Sequence, residues 1–153
     1  MNPEKIDYPP LLPGGLHPHT LNSLKEITVD SFPESTRRKA LFSALSVYLD
    51  LLEATGFKGS AWIDGSFMCA KDEPEDIDLV LVFKSAALDE ISESARPVLD
   101  NLFDSVTVMS RFKLHVFQVA EENVRGVAYW QQQFGTQRDE VTPKGLASIG
   151  VNI

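Results

Sequence analysis

Two aspartates one residue apart head the longest apolar run of the chain, Asp76-Ile77-Asp78-Leu79-Val80-Leu81-Val82-Phe83, and they are the residues best placed to do chemistry. In a strand, residues two apart project from the same face, so Asp76 and Asp78 share one side while Ile77 turns into packing. Two carboxylates held together repel one another. A divalent ion such as Mg²⁺ or Mn²⁺, bound by one or two carboxylates and by substrate phosphates, is the usual relief. With a second ion about 4 Å away, such a site clamps the attacking and leaving oxygens of an in-line phosphoryl displacement.

Eleven positions before Asp76 stands Gly65-Ser66. A residue without Cβ lets a phosphate approach the backbone, and the neighbouring hydroxyl donates to a phosphate oxygen. A short helical turn begun at Ser66 and running towards Lys71 would add free N–H groups to the same anion site. The interval has room for one such turn and a tight loop around Pro74. Two neighbouring strands would then present the glycine turn and the aspartate pair around one nucleoside triphosphate.

The elements that must position these residues follow from periodicity. Pro9, Pro10, Pro13, Gly14 and Gly15 predict an irregular arm, and Leu21, Leu24 and Ile27 predict a short helix that Phe32-Pro33 closes. Ser35 or Thr36 caps a second helix whose apolar positions Leu41, Leu45, Leu49 and Leu52 recur at three and four residues until Gly56. Gly59 to Asp64 reads as a strand. Asp76 to Phe83 reads as a central strand, because five consecutive large apolar residues suit burial on both faces. A helix broken near Pro97 spans Ala86 to Phe103. Val106 to Met109 and Lys113 to Val119 read as two strands of a hairpin across Ser110 to Phe112, Val124 to Phe134 as a helix, and Lys144 to Val151 as a last edge strand. This order predicts a mixed α/β or α+β layer architecture in a single domain, with residues 1–34 as arm and short helix and 35–153 as core.

Each of these residues also has a plainer role. Asp-x-Asp alone is cheap in a chain with twenty-two acids, and Gly65-Ser66 alone is a turn. Cys69 reads as a small buried hydrophobe, and His17 and His19, without further Cys or His at ligand spacing, as surface or packing residues. Tyr129, Trp130 and Phe134 are core residues at helical spacing. His115 alternates with apolar neighbours in its strand, as a structural or a proton-transferring histidine. Lys144, in Pro143-Lys144-Gly145, is either a cation in reach of a triphosphate or a solvated lysine on an edge strand, and Arg138 shares the ambiguity. Arg37-Arg38 opens a helix where the macrodipole disfavours cations, so the pair is either turned towards a partner or simply exposed.

Gly65-Ser66 followed by Asp76-Ile77-Asp78 and an apolar strand resembles the core of the nucleotidyltransferase superfamily, shared by polymerase-β-like enzymes and the minimal nucleotidyltransferases of bacterial toxin–antitoxin pairs. That likeness covers about the middle third of the chain. Nearly the whole chain also resembles a family of small bacterial proteins through Leu12 to Pro18, the Gly65-Ser66-Phe67 and Asp76-Ile77-Asp78 core, Phe134-Gly135-Thr136 with Arg138, and Pro143-Lys144-Gly145. The resemblance implies a nucleotidyltransferase-like mixed sheet with flanking helices and an N-terminal helical arm. It implies Mg²⁺ or Mn²⁺ on Asp76 and Asp78, triphosphate on Gly65 and Ser66, and a third carboxylate from a later strand. That strand here carries His115 where the acid would stand, and Cys69-Ala70-Lys71 replaces the Arg-Gly that often follows the glycine and serine. The expected function is transfer of a nucleoside monophosphate to a protein or nucleic-acid hydroxyl, in a toxin–antitoxin or phage-defence setting with a protein partner encoded nearby. The alternative is a degenerate fold of the same kind that acts as a protein-binding module.

Composition bounds these expectations. Fourteen Lys and Arg against twenty-two Asp and Glu give a net charge of −8, which forgoes the counterion release that drives non-specific nucleic-acid binding. A single cysteine excludes an internal disulfide. The polar N-terminal residues predict a cytoplasmic protein, and no apolar run approaches the ~20 residues that span a bilayer.

Overall fold

The computed structural model describes residues 8–137 and 139–153. Arg138 and the start of the N-terminal arm lie outside the described residues. Strand β1 (Gly15–Pro18) leads into helix α1 (Leu21–Lys25), which continues as a wide π turn (Glu26–Asp30), and then helix α2 (Thr36–Ala54), strand β2 (Gly59–Asp64) and a single 3-10 turn (Ser66–Met68). Strand β3 (Ile77–Phe83) is followed by α3 (Ser85–Asp89), α4 (Arg96–Phe103), α5 (Ser105–Phe112), strand β4 (Leu114–Ala120), α6 (Val124–Gly135) and strand β5 (Gly145–Val151).

The chain is a mixed α/β protein whose five strands lie in the order β1-β5-β2-β3-β4. Strand β2 runs antiparallel to both neighbours, while β1 with β5 and β3 with β4 are parallel. Alternation along each strand divides the side chains between two faces. Ala61, Ile63, Ile77, Leu79, Leu81, Leu114, Val116 and Ala147 form the main core with Leu41, Leu45 and Leu52 of α2, Leu99 and Leu102 of α4, and Val108 and Phe112 of α5. Trp62, Val80, Val82, Val119 and Leu146 occupy the other face beneath Phe134 of α6, with Val127 and Trp130 alongside. Each fully buried large apolar side chain contributes roughly 1.5–3 kcal/mol, and β3 contributes to both layers because it is buried on both faces. Among the described residues no helix is long and apolar enough to cross a membrane.

Helix α2 forms as its spacing predicts. The Ser35 hydroxyl accepts the Arg38 N–H at 3.1 Å to cap it, and Gly56, at φ +87°, ends it in the left-handed region.

Three expectations are corrected. Val106 to Met109 is helical, within α5, because the Asp104 carboxylate accepts the Thr107 N–H at 2.9 Å and Val108 and Phe112, four apart, bury together while Val106 stays exposed. The local β-branched preference yields there to a capped, amphipathic turn. The proline- and glycine-rich arm is not wholly irregular, nor is the N-terminal region only helical: Gly15 to Pro18 pairs in parallel with Gly145 to Ser148. Consequently β5 is an interior strand, with β1 on the edge beyond it. Periodicity cannot report this, since pairing between the first and last strands is set by packing at the far ends of the sequence.

Candidate functional site

The strand register assembles a polar row at one end of the sheet. Asp64, the last residue of β2, lies directly opposite Asp78 of β3, and Asp78 lies directly opposite His115 of β4. Opposed residues share a face, so the three side chains stand on the α6 side. They open into a cleft of about 530 Å³ that Gly65, Ser66, Asp76 and Lys144 also line, with Gln133, Thr136 and Gln137 at the end of α6 contributing to its wall. The six residues singled out in the sequence, Gly65, Ser66, Asp76, Asp78, His115 and Lys144, therefore meet in one place.

Gly65 joins β2 to the 3-10 turn at φ +86° and ψ −172°, a conformation that side chains rarely adopt. A Cβ there would stand 3.1 Å from the backbone nitrogen and from Oδ2 of Asp78. The glycine turn and the aspartate pair are thus in contact, and only a residue without a side chain allows it. The helical turn expected from Ser66 to Lys71 is shorter, ending at Met68. The Met68 and Cys69 N–H groups are used on Gly65 O at 3.0 Å and Ser66 O at 3.1 Å, and offer nothing to an anion.

What holds this turn in place is Arg38, which is fully buried. Its guanidinium donates to the carbonyls of Phe67 at 2.7 Å, Cys69 at 2.6 Å, Lys71 at 2.6 Å and Thr28 at 2.9 Å, and its centre lies 3.8 Å above the Phe32 ring. Burial pushes its pKa down to about 10, with Cys69, Asp72 and Glu73 pulling the other way. Ser35 donates its hydroxyl to Asp72 O at 2.7 Å beside it. The expectation of an exposed or partner-facing Arg37-Arg38 pair holds for Arg37, which sits 3.8 Å from Glu73, and is corrected for Arg38. The signal was in the sequence: a cation placed against the helix macrodipole needs another reason to be there.

Lys144 is not a solvated edge lysine. It is buried, with Nζ 2.9 Å from Asp64 Oδ1 and donating to Gly65 O at 3.2 Å. Burial alone would lower its pKa, but Asp64 and Cys69 together outweigh burial and raise it. Asp64 is the residue that sequence reasoning missed. Its cue was a charged side chain on the Trp62 face, immediately before Gly65. Burial pushes the Asp64 carboxyl up to about 6, Lys144 opposes the rise and Asp78 adds to it. Although Lys144 is at ion-pair distance, no hydrogen bond of ordinary geometry reaches the buried Oδ1.

Burial, then the charge of Asp76, raises the Asp78 pKa, while His115 and Lys144 pull it back. His115 Nδ1 lies 3.6 Å from Asp78 Oδ1. Both aspartates lean on the cleft, and a cation there would relieve the penalty that burial and mutual repulsion impose on Asp78. Among the described residues no three of His, Cys, Asp and Glu are grouped to hold a metal by themselves, so a divalent ion would complete its shell with substrate oxygens and water.

The remaining candidates take structural places. Cys69 is buried, as a small hydrophobe would be, and burial raises its thiol pKa. Phe117, Trp130 and Phe134 pack ring against ring, while Tyr129 is exposed. His17 bonds Pro13 O at 2.7 Å, and His19 bonds the Ser23 hydroxyl at 2.8 Å.

Comparison with known proteins matches residues 4–150 to the family described as Family of unknown function (DUF6932). No curated protein and no solved structure matches the chain.

Proposed function

Given that the chain belongs to this family of unknown function (DUF6932), we propose from its cleft that it is a metal-dependent, nucleotidyltransferase-like protein that binds a nucleoside triphosphate and transfers the nucleoside monophosphate to a hydroxyl of another molecule. One observation carries the proposal: Gly65 approaches Asp78 so closely that a Cβ would lie 3.1 Å from its carboxylate. A phosphate-accepting turn and a cation-accepting pair therefore border the same space, as the resemblance to the superfamily implies. Asp76 and Asp78 would hold Mg²⁺ or Mn²⁺, and the bound ion would withdraw charge from the phosphates during displacement. Gly65 and Ser66 would seat the phosphate chain. In the transfer, the acceptor oxygen bonds to the α-phosphorus, the bond from that phosphorus to the bridging oxygen breaks, and pyrophosphate leaves. The hydroxyl proton passes to His115, the one imidazole on the row.

Resemblance to the minimal nucleotidyltransferases makes the acceptor a partner encoded nearby, in a toxin–antitoxin or defence setting. The alternative is a binding module that keeps the scaffold without the chemistry. His115 in the place of a third acid favours it, because an imidazole carries no negative charge to offset a cation's.

Incubation with Mg²⁺ or Mn²⁺ and each labelled triphosphate separates the two. Metal-dependent nucleotide binding and pyrophosphate release, both lost in Asp76→Ala and Asp78→Ala, support the enzyme. No metal-dependent nucleotide binding by the wild-type protein overturns the proposed function and favours the module.

A further inference from the structure

Lys144 occupies a position in the cleft that calls for a functional account. Burying an ammonium is costly unless it is paired, and this one is paired twice, to a carboxylate of β2 and to the carbonyl of the glycine turn that touches Asp78. A solvated lysine at the head of β5 would have cost nothing. The paired one places a fixed positive charge on the same face as Asp78, two strands away across β2.

Four carboxylates line the cleft: Asp64, Asp76 and Asp78 at the strand ends, and the exposed Glu140 on the loop after α6, apart from that row. Asp64 stands beside Asp78 on the side opposite His115, so the row has an acid on both β2 and β3 and none on β4. Two divalent ions need carboxylates enough to share between them. Here Asp64 is already engaged by Lys144, leaving Asp76 and Asp78 for one ion.

We propose that the Lys144 ammonium, held by Asp64 and the Gly65 carbonyl, is a built-in second cation, so that the cleft takes a nucleoside triphosphate together with a single divalent ion. This rests on the proposed function and goes beyond it in fixing the metal count and giving Asp64 and Lys144 their roles. Asp64 positions the ammonium, and Lys144 supplies charge that a second metal would otherwise supply.

Electron paramagnetic resonance counts bound Mn²⁺ in the presence of a saturating non-hydrolysable α,β-methylene triphosphate. Wild-type protein is expected to hold one Mn²⁺ per bound nucleotide. Lys144→Met frees Asp64 and is expected to hold two, whereas Lys144→Arg, which keeps the charge, holds one. Circular dichroism confirms that the variants are folded, and the wild-type count stands without them. Two Mn²⁺ beside the nucleotide in the wild type overturns the inference and leaves the proposed function standing. So does a folded Lys144→Met that still holds one and binds the triphosphate as tightly as wild type. Absence of any nucleotide on the wild-type protein overturns both.

Discussion

Asp64 and Asp78 face one another directly across the antiparallel β2–β3 pair, two buried or half-buried acids at a position where like charges destabilise a sheet. The ammonium 2.9 Å from Asp64 and the imidazole 3.6 Å from Asp78 flank the pair on its two sides. An arrangement that costs stability and is compensated at two points is characteristic of a site rather than of a scaffold.

Gly65→Ala tests whether the glycine turn and the aspartate pair work as one unit. With φ at +86° and a Cβ 3.1 Å from Asp78, the substitution is expected to cost about 1–3 kcal/mol and to displace the carboxylate. Urea denaturation measures the first. Weaker Mn²⁺-nucleotide binding by calorimetry measures the second, and undiminished binding would show that the contact is incidental.

Arg38→Met removes the donors that satisfy four backbone carbonyls between Thr28 and Lys71. Unsatisfied buried carbonyls cost about 1–3 kcal/mol each, so a loss of at least about 3 kcal/mol is expected. Arg38→Lys should recover only part of it, because an ammonium cannot span the planar fork of a guanidinium. Denaturant midpoints of the three proteins, compared at equal m-values, check the order.

His115→Asp places a carboxylate directly opposite Asp78. In chelator the variant is expected to be less stable than wild type by up to about 1 kcal/mol, through like-charge repulsion. Added Mn²⁺ should raise its Tm by more than it raises that of wild type. Equal metal responses in the two proteins would place His115 away from any cation.

Acid sensitivity has a local probe in Asp104, whose carboxylate accepts the Thr107 N–H to cap α5 and is held below its ordinary value of 3.8 by that bond. A carboxylate with a lowered folded-state pKa stabilises the fold above its unfolded value, and that contribution is lost as pH falls through the lower, folded one. Asp104→Asn keeps the cap but not the titration, so its stability should fall less steeply than that of wild type below pH 3.8. Parallel acid titrations followed by circular dichroism compare them.

The sequence by itself determined most of the local elements and the identity of most residues that line the cleft. Apolar spacing from Leu41 to Leu52 marked α2, five consecutive apolar residues marked β3, and the types and spacing of Gly65, Ser66, Asp76 and Asp78 marked a glycine turn and a carboxylate pair, because turn chemistry and side-chain periodicity are short-range properties. Tertiary structure alone decided the rest. Strand pairing set Asp64 against Asp78, the parallel approach of β1 moved β5 into the interior, and the depth of the protein turned Arg38 inward onto the carbonyls of a loop some thirty residues away. Lys144 acquired its place in the same way, from a carboxylate eighty positions earlier in the chain. A charge's surroundings depend on which distant segments fold over it, and composition and periodicity carry no information about that.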